Sequence, residues 1–159
     1  MGRESTLKVL TYYIDKGSGQ YEPFYEYFIP NVGIDEVYAR QLCTYFIMRG
    51  TQYELVSTEM NGEEEVLVLK EVGRNLSGED ELNFRGKGLH VEFRSPNERE
   101  NFRLLTRVPC STHFDAIRFL LKDVVDIPHI GQKLVTSSEI DEDRGVYVLY
   151  VKDLGDVVD

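Results

Sequence analysis

The strongest constraint on the fold is an order of segments that occurs twice in the chain, displaced by 79 residues. Pro30 and Pro109 each end a segment with strand-like alternation and precede a segment with helical spacing. The same displacement places Leu121 on Leu42 within the helical segments. A single ungapped displacement across these features indicates an internal duplication. The two copies are expected to pack on one another, because each half alone buries little apolar surface.

The elements of the first half follow from its apolar pattern. Alternation of period two predicts strands over residues 7–14 and 21–29. A helix is predicted next, with Gly50 as its stop, and its apolar positions are Ile34, Val37, Tyr38, Leu42, Tyr45 and Phe46. The Asn61-Gly62 dipeptide between two β-rich segments predicts a hairpin that closes this half.

The second half repeats this order of elements. Strands are predicted over residues 89–93 and 102–108, followed by a helix and by a hairpin that turns at residues 141–144. The helix has apolar positions at Phe114, Ile117, Leu120, Leu121, Val124 and Val125.

These elements predict an α+β protein made of two ββαββ repeats related by a pseudo-twofold axis. We expect an antiparallel sheet with both helices packed on one side. The first repeat covers residues 5–72, the linker residues 73–88 and the second repeat residues 89–154, and the whole forms one compact domain. The helices are expected to bury Val37, Leu42, Tyr45, Ile117, Leu121 and Val124.

The segment RVPCSTHFDAI places Cys110, His113 and Asp115 close together, which raises the possibility of a nucleophile with its base. The displacement of 79 places these residues on Asn31, Ile34 and Glu36, so the reactive types occur in one copy only. The Thr112-x-x-Asp115 spacing is typical of a capping box at a helix N-terminus. We interpret the segment as a helix entrance, although a helix N-terminus would also lower the pKa of Cys110.

Composition excludes several classes of partner and site. A net charge of −10 argues against binding nucleic acid, which requires clustered basic residues. The N-terminal segment lacks the pattern of a secretory signal, and no apolar run is long enough to span a membrane. Two cysteines and three histidines are too few for a disulfide framework or a usual zinc site. We therefore expect a cytoplasmic protein without a metal.

No diagnostic catalytic or cofactor motif is present in the sequence. The glycine-containing segment of residues 73–88 lacks the endings of a P-loop and of a dinucleotide-binding loop. The acidic runs at residues 63–65, 79–81 and 141–143 do not have the spacing of a calcium-binding loop. These observations favour a non-catalytic protein without a cofactor, which acts by binding a protein partner or its own second copy.

A comparison of the two halves suggests where a partner binds. Phe24 and Phe28 occupy the strand positions where the second half has Arg103 and Arg107. Arginines at those positions indicate a solvated face, so phenylalanines there predict an exposed apolar patch, with Tyr13 beside them. Packing of the same face against the other half or the linker is the alternative.

The arginines of the second half also have two interpretations. Arg94, Arg103 and Arg107 share one face of a hairpin and could bind an anionic group. Alternatively, they form ion pairs with nearby glutamates, at Glu92, Glu98 and Glu100.

The order ββαββ, found twice, is similar to the duplicated fold of GyrI-like effector-binding domains. The resemblance implies that a small amphipathic ligand binds between the repeats. The Gly-Pro-Tyr turn of that family is replaced here by IPNVGID and VPCSTHFD, so no ligand-binding glutamate is carried over.

Small-molecule binding or weak catalysis in a groove between the repeats is the alternative function. The groove would be lined by tyrosines predicted on the inner face of the first half, namely Tyr12, Tyr25, Tyr27 and Tyr38. A buried phenol needs a hydrogen-bond partner, which water or a ligand would supply. Alternatively, the hydroxyl of each tyrosine simply reaches the surface.

Overall fold

The computed structural model describes residues 7–75, 78 and 80–156. Residues 5, 6, 76, 77 and 79 of the predicted first repeat and linker therefore lie outside the described residues. Within the described part of the chain, ten strands form one sheet and two α-helices accompany it. The protein is thus a mixed α/β protein dominated by its sheet. Neither described helix is long and apolar enough to cross a membrane.

The strands and helices alternate in the same order in both halves. The first half consists of β1 (Leu7–Gly17), β2 (Gln20–Ile29), α1 (Ile34–Arg40), β3 (Tyr45–Met48), β4 (Thr51–Asn61) and β5 (Glu64–Arg74). The second half consists of β6 (Leu89–Arg94), β7 (Leu104–Cys110), α2 (His113–Leu120), β8 (Val124–Ile127), β9 (Gly131–Asp141) and β10 (Val146–Lys152). Across the sheet the strands run β2-β1-β5-β4-β3-β9-β10-β6-β7, and β8 pairs with β9.

The sheet is mixed, so the expectation of an antiparallel sheet is wrong for three strand pairs. β1 pairs in parallel with β5, β6 with β10, and β3 with β9. In each half the last strand returns beside the first strand, so that its hairpin lies next to the opening hairpin. Apolar alternation predicts which side chains share a face, but it carries no information about the direction of the neighbouring strand.

Each helix is shorter than its apolar pattern predicts. The structure ends α1 at Arg40, and Tyr45 and Phe46 belong to the strand β3. The second helix ends at Leu120, and Val124 belongs to β8. The segments YFIM and VVDI are rich in β-branched and aromatic residues, and a short apolar run of this kind fits a strand as well as a helix. Each half is therefore ββαβββ.

Because the helices are shorter than predicted, only some of the six side chains expected to be buried by them are shielded from solvent. Val37 is fully buried and Ile117 is half-buried, as the helical pattern predicts. Leu121 and Val124 are exposed instead, because Leu121 follows the last turn of α2 and Val124 begins a strand. Leu42 and Tyr45 are half-buried and lie outside α1.

One face of the sheet and the two helices enclose the apolar core. Alternate residues of the central strands point to this face, and Val37 and Ala39 of α1 meet Ala116 and Leu120 of α2 against them. Their strand partners include Leu10, Tyr12, Phe46, Leu67, Leu69, Val91, Phe93, Ile140, Tyr147 and Leu149.

A buried ion pair joins the two halves on this side of the sheet. Arg40, the last residue of α1, donates two hydrogen bonds of 3.0 Å to the carboxylate of Glu142, in the turn between β9 and β10. The hydroxyl of Tyr12 donates a third hydrogen bond of 2.7 Å to the same carboxylate. The arginine and the tyrosine keep the pKa of Glu142 below its usual range although burial acts against them.

We expect the Glu142→Ala variant to lose about 3 kcal/mol of unfolding free energy, because the buried Arg40 guanidinium is left without its counter-ion. Guanidinium denaturation followed by circular dichroism measures this loss. Glu63→Ala is the matched control, since Glu63 is an exposed residue in the β4–β5 turn of the other half. Equal stability of the two variants would show that the ion pair contributes nothing.

Candidate functional site

A cleft of about 1000 Å³ lies on the sheet face opposite the helices. It crosses the junction of the two halves, because its walls come from β3, β4 and β5 on one side and from β9 and β10 on the other. The side chains along the strands are Tyr45, Gln52, Arg74, Ser137, Glu139 and Tyr150. A second wall comes from the linker and the β6–β7 loop, with Asp80, Glu81, Glu98, Glu100, Phe102 and Arg103.

Strand register places the polar side chains of the cleft next to one another. Tyr45 of β3 is paired with Glu139 of β9, and Ser137 of β9 is paired with Tyr150 of β10. Paired residues in neighbouring strands point to the same face, so all four side chains face away from the helices. Ile140, the residue after Glu139 in β9, points to the core, as the alternation of the strand requires.

Glu139 is the most unusual group in the cleft. It is 6% exposed, and its Oε1 atom accepts a hydrogen bond of 3.3 Å from the Tyr150 hydroxyl. Burial raises the pKa of the Glu139 carboxyl to about 8, and the nearby Asp141 adds to the shift while Tyr150 and Arg144 oppose it. At neutral pH this carboxyl therefore carries a proton for most of the time.

Next to the cleft, a second buried carboxyl has a lowered pKa, because arginines surround it. Glu92 is fully buried and receives hydrogen bonds from three arginines. Arg144 binds both carboxylate oxygens at 2.9 Å, Arg94 donates to Oε1 at 2.8 Å, and Arg107 donates to Oε2 at 2.7 Å. Despite the burial, these hydrogen bonds and charges lower the pKa of Glu92 to about 2.

The arginines of this cluster also attach the linker to the sheet. Arg144 donates to the backbone oxygen of Leu82 at 3.1 Å, and its own backbone oxygen accepts from the Phe84 amide at 2.7 Å. Arg94 donates to Asp80 at 2.8 Å. The described part of the linker therefore lies against the second half and forms one wall of the cleft.

The three arginines predicted as an anion site have different surroundings. Arg94 and Arg107 both bind Glu92, so for these two the structure supports the ion-pair interpretation. Arg107 also lies over the ring of Phe84, with its guanidinium carbon 4.7 Å from the ring centroid. Arg103 is exposed on the wall of the cleft, and the described residues form no ion pair with it.

The four tyrosines predicted to line a groove are on the helix side and not in the cleft. The ring centroid of Tyr27 lies 5.4 Å from that of Tyr12 and 4.8 Å from that of Tyr25, and both ring contacts are edge-on. The buried Tyr12 hydroxyl is bound by Glu142, and the exposed Tyr38 hydroxyl lies 3.4 Å from Glu65. Protein carboxylates thus supply the partners of these two hydroxyls.

The residues of the predicted apolar patch are half-buried. Phe24 packs on Tyr53 at a centroid distance of 5.4 Å, beneath the guanidinium of Arg49. Phe28 and Phe24 line a shallow groove along β2, and Tyr13 lies on the neighbouring β1. Part of the predicted patch is therefore used for packing within the first half.

The segment around Cys110 is a helix entrance, as its pattern predicts. The backbone amides of Ser111 and Thr112 donate to the carboxylate of Asp115 at 3.1 and 3.2 Å. The expectation that the helix lowers the pKa of Cys110 is wrong, because burial and the charge of Asp115 raise that pKa to about 11. The thiolate needed for nucleophilic attack is thus disfavoured.

Sequence reasoning missed Glu139, Tyr45 and Tyr150. The available signal was a polar alternation of period two, with Ser137 and Glu139 in a predicted strand and Asp141 at the start of the predicted turn. Such a pattern usually indicates a solvated face. Here β3 and β10 lie on both sides of β9, so that this face is central in the sheet and its carboxyl groups are buried.

Comparisons with protein-family models, with curated proteins and with solved structures found no match to this chain. Within the described ranges, no group of three or more histidine, cysteine, aspartate or glutamate side chains is arranged to hold a metal ion.

We expect the unfolding free energy of Glu139→Gln to rise relative to that of the native protein between pH 5 and pH 8. The pKa of the native carboxyl is 4.5 in the unfolded chain and about 8 in the folded protein. The unfolded state therefore loses its proton first, and the native protein becomes less stable as the pH rises across this range. The amide does not titrate. The expected gain is on the order of 2 kcal/mol, measured by urea denaturation at both pH values.

Glu63→Gln is the control for this measurement, since it makes the same substitution at an exposed residue in the β4–β5 turn. A difference between Glu139→Gln and the native protein that stays constant from pH 5 to 8 would contradict the prediction.

Proposed function

We propose that this protein acts by binding, and that the cleft between its halves holds a small polar ligand. The observation that carries the proposal is the Glu139–Tyr150 pair, a buried carboxyl and a phenol that line an open cleft. Leaving a carboxyl in such a position costs folding free energy, as its raised pKa indicates. Costly groups of this kind concentrate at functional sites.

The location of the cleft supports the same proposal. Concave sites of several hundred Å³ with a few convergent polar groups are typical of ligand-binding sites, and they often form where two structural units meet. Tyr45 comes from the first half, whereas Glu139 and Tyr150 come from the second. A ligand here would contact both halves and stabilise their junction.

We also propose that the halves arose by duplication and are related by a pseudo-twofold axis. The strand order β2-β1-β5-β4-β3 of the first half corresponds to β7-β6-β10-β9-β8 of the second. A backbone hydrogen bond of 2.9 Å from Leu55 to Thr44 has a counterpart of 2.8 Å from Val135 to Asp123, in which the acceptors are 79 residues apart and the donors 80. In this view the cleft lies on the seam between the copies, like the ligand site that the GyrI-like resemblance implies.

A fragment library that contains cationic, neutral and anionic members tests the cleft. We expect some fragments to shift the NMR signals of Tyr45, Ser137 and Tyr150, and Ser137→Trp to abolish these shifts, because the indole fills the cleft. Ser111→Trp is the control, since Ser111 is exposed at the entrance of α2. If no fragment of any charge perturbs the cleft signals of the native protein, the proposed function is wrong.

Self-association is a second candidate function, and the position of β2 favours it. This strand ends the sheet and pairs only with β1 in the described chain, so that one edge of its backbone is open for pairing. Tyr21, Tyr25 and Ile29 are exposed along it. A second copy that adds its own β2 would cover these side chains together with Phe28 and Tyr13.

For this candidate we expect a concentration-dependent dimer in sedimentation velocity, weakened about tenfold or more when Tyr25 and Phe28 are both replaced by serine, since large aromatic residues contribute most to interface energy. Met60→Ser is the control, because Met60 is 80% exposed on β4. A native protein that stays monomeric at high micromolar concentration would exclude the dimer.

A further inference from the structure

We propose that the ligand of the cleft is an organic ammonium ion, bound by the carboxylate of Glu139 and by the aromatic rings beside it. This inference rests on the proposed function and specifies the chemical class of ligand. The cleft is assigned to a cation because of its charge, because one buried carboxyl lacks a counter-ion among the described residues, and because aromatic rings line the same cleft as that carboxyl.

The charge of the cleft favours a cation. Five carboxyl side chains line it, from Asp80, Glu81, Glu98, Glu100 and Glu139, against the guanidinium groups of Arg74 and Arg103. The whole chain also carries a net charge of −10. A cleft with an excess of one charge raises the local concentration of ligands of the opposite charge.

Among the described residues, Glu139 differs from the other buried or half-buried carboxylates of this region because no arginine or lysine pairs with it. Glu92 binds three arginines, Glu142 binds Arg40, and Asp141 binds Arg144. Within the described chain, by contrast, the only hydrogen bond to the Glu139 side chain comes from the Tyr150 hydroxyl. The charge of Arg144 acts on Glu139, but its guanidinium already binds Glu92 and Asp141.

Aromatic rings complete the arrangement around this carboxyl. Tyr45, Phe102 and Tyr150 all line the cleft, and the rings of Phe102 and Tyr150 meet edge-on at a centroid distance of 5.8 Å. Aromatic faces attract ammonium groups, including methylated ones, and they do not favour anions. A carboxylate among aromatic rings is therefore suited to an alkylamine, whose hydrocarbon chain packs on the rings.

Binding of an ammonium ion would remove the proton from Glu139. The other titratable groups around this carboxyl are Asp141 on its own strand, Tyr150 on β10, Tyr45 on β3, Arg144 in the β9–β10 turn and Glu81 in the linker. Burial and neighbouring carboxylates raise the pKa of Tyr150, and carboxylate partners raise that of Arg144 although burial opposes them, so neither group changes charge between pH 6.5 and 8.5. Glu139, with a pKa of about 8, is the group assigned here to couple ligand affinity to pH.

Butylamine, butanol and butyrate test the proposal, because they share one carbon chain and differ in the charge of the head group. NMR titration of the full chain at pH 8.5 is expected to show butylamine binding at least about tenfold more tightly than the other two, since only the ammonium pairs with the carboxylate. The affinity for butylamine should fall about tenfold or more at pH 6.5, where binding must displace the proton of Glu139. Butylamine itself stays charged at both pH values, because the pKa of an alkyl ammonium is about 10.4.

The Glu139→Gln variant is expected to lose both the preference for butylamine and its pH dependence, whereas Glu63→Gln retains both. Retention of both by Glu139→Gln would overturn the assignment. If butanol or butyrate binds in the cleft as tightly as butylamine, the ligand class is wrong while the binding function stands. If none of the three perturbs the cleft signals but fragments of other classes do, the ammonium assignment is likewise overturned. Only the failure of every class of ligand would overturn the binding function as well.

Discussion

Three residue pairs between β3 and β9 join the two halves of the molecule into one sheet. Along these pairs the side chains point alternately to the two faces of the sheet. Phe46 and Ile140 point to the helices and extend the apolar core across the junction. Tyr45 and Glu139 point the other way and form the centre of the cleft. The same short pairing therefore creates the continuous core and the site, and a change of register by one residue would exchange the two faces.

The buried charges on this sheet show two different solutions to the same physical problem. A carboxylate removed from water must either gain charged partners or take up a proton. Glu92 gains three arginines, and its pKa falls to about 2. Glu139, two strands away across β10, takes up a proton instead, and its pKa rises to about 8. The first arrangement holds the described part of the linker on the sheet, whereas the second leaves a carboxyl that is protonated at neutral pH in the wall of the cleft.

The sequence predicts those features that depend on local pattern. Alternation and turn residues place β1, β2 and both closing hairpins, and the Asp115 cap identifies the entrance of α2. The ends of the helices are not predictable in this way, because the apolar spacing of Tyr45 and Val124 suits a helix as well as a strand. Only the long-range packing of the chain places these residues in the sheet.

The cleft could not be predicted, for a related reason. Glu139 is an unremarkable strand glutamate until β3, from the other half, is placed beside it. The arginine face of β6 and β7 was visible in the sequence, but not that Glu92 would bind Arg94 and Arg107 together with Arg144, a turn residue 52 positions away. Sequence reasoning thus finds the side chains that share a strand face, and tertiary pairing decides which of them are buried together.

The β3–β9 junction also has a consequence for the order of folding. Thr44, just before β3, bonds to Ser138 across 94 positions of the chain, whereas the hairpins of each half close over far shorter loops. Contacts between distant residues carry a larger entropic cost of loop closure, and chains dominated by them fold slowly. We therefore expect each half to assemble its own strands first and the junction to form late. The cleft would then be among the last parts of the molecule to exist, and a half-folded chain would leave the short edge of β3 open to pairing with another chain.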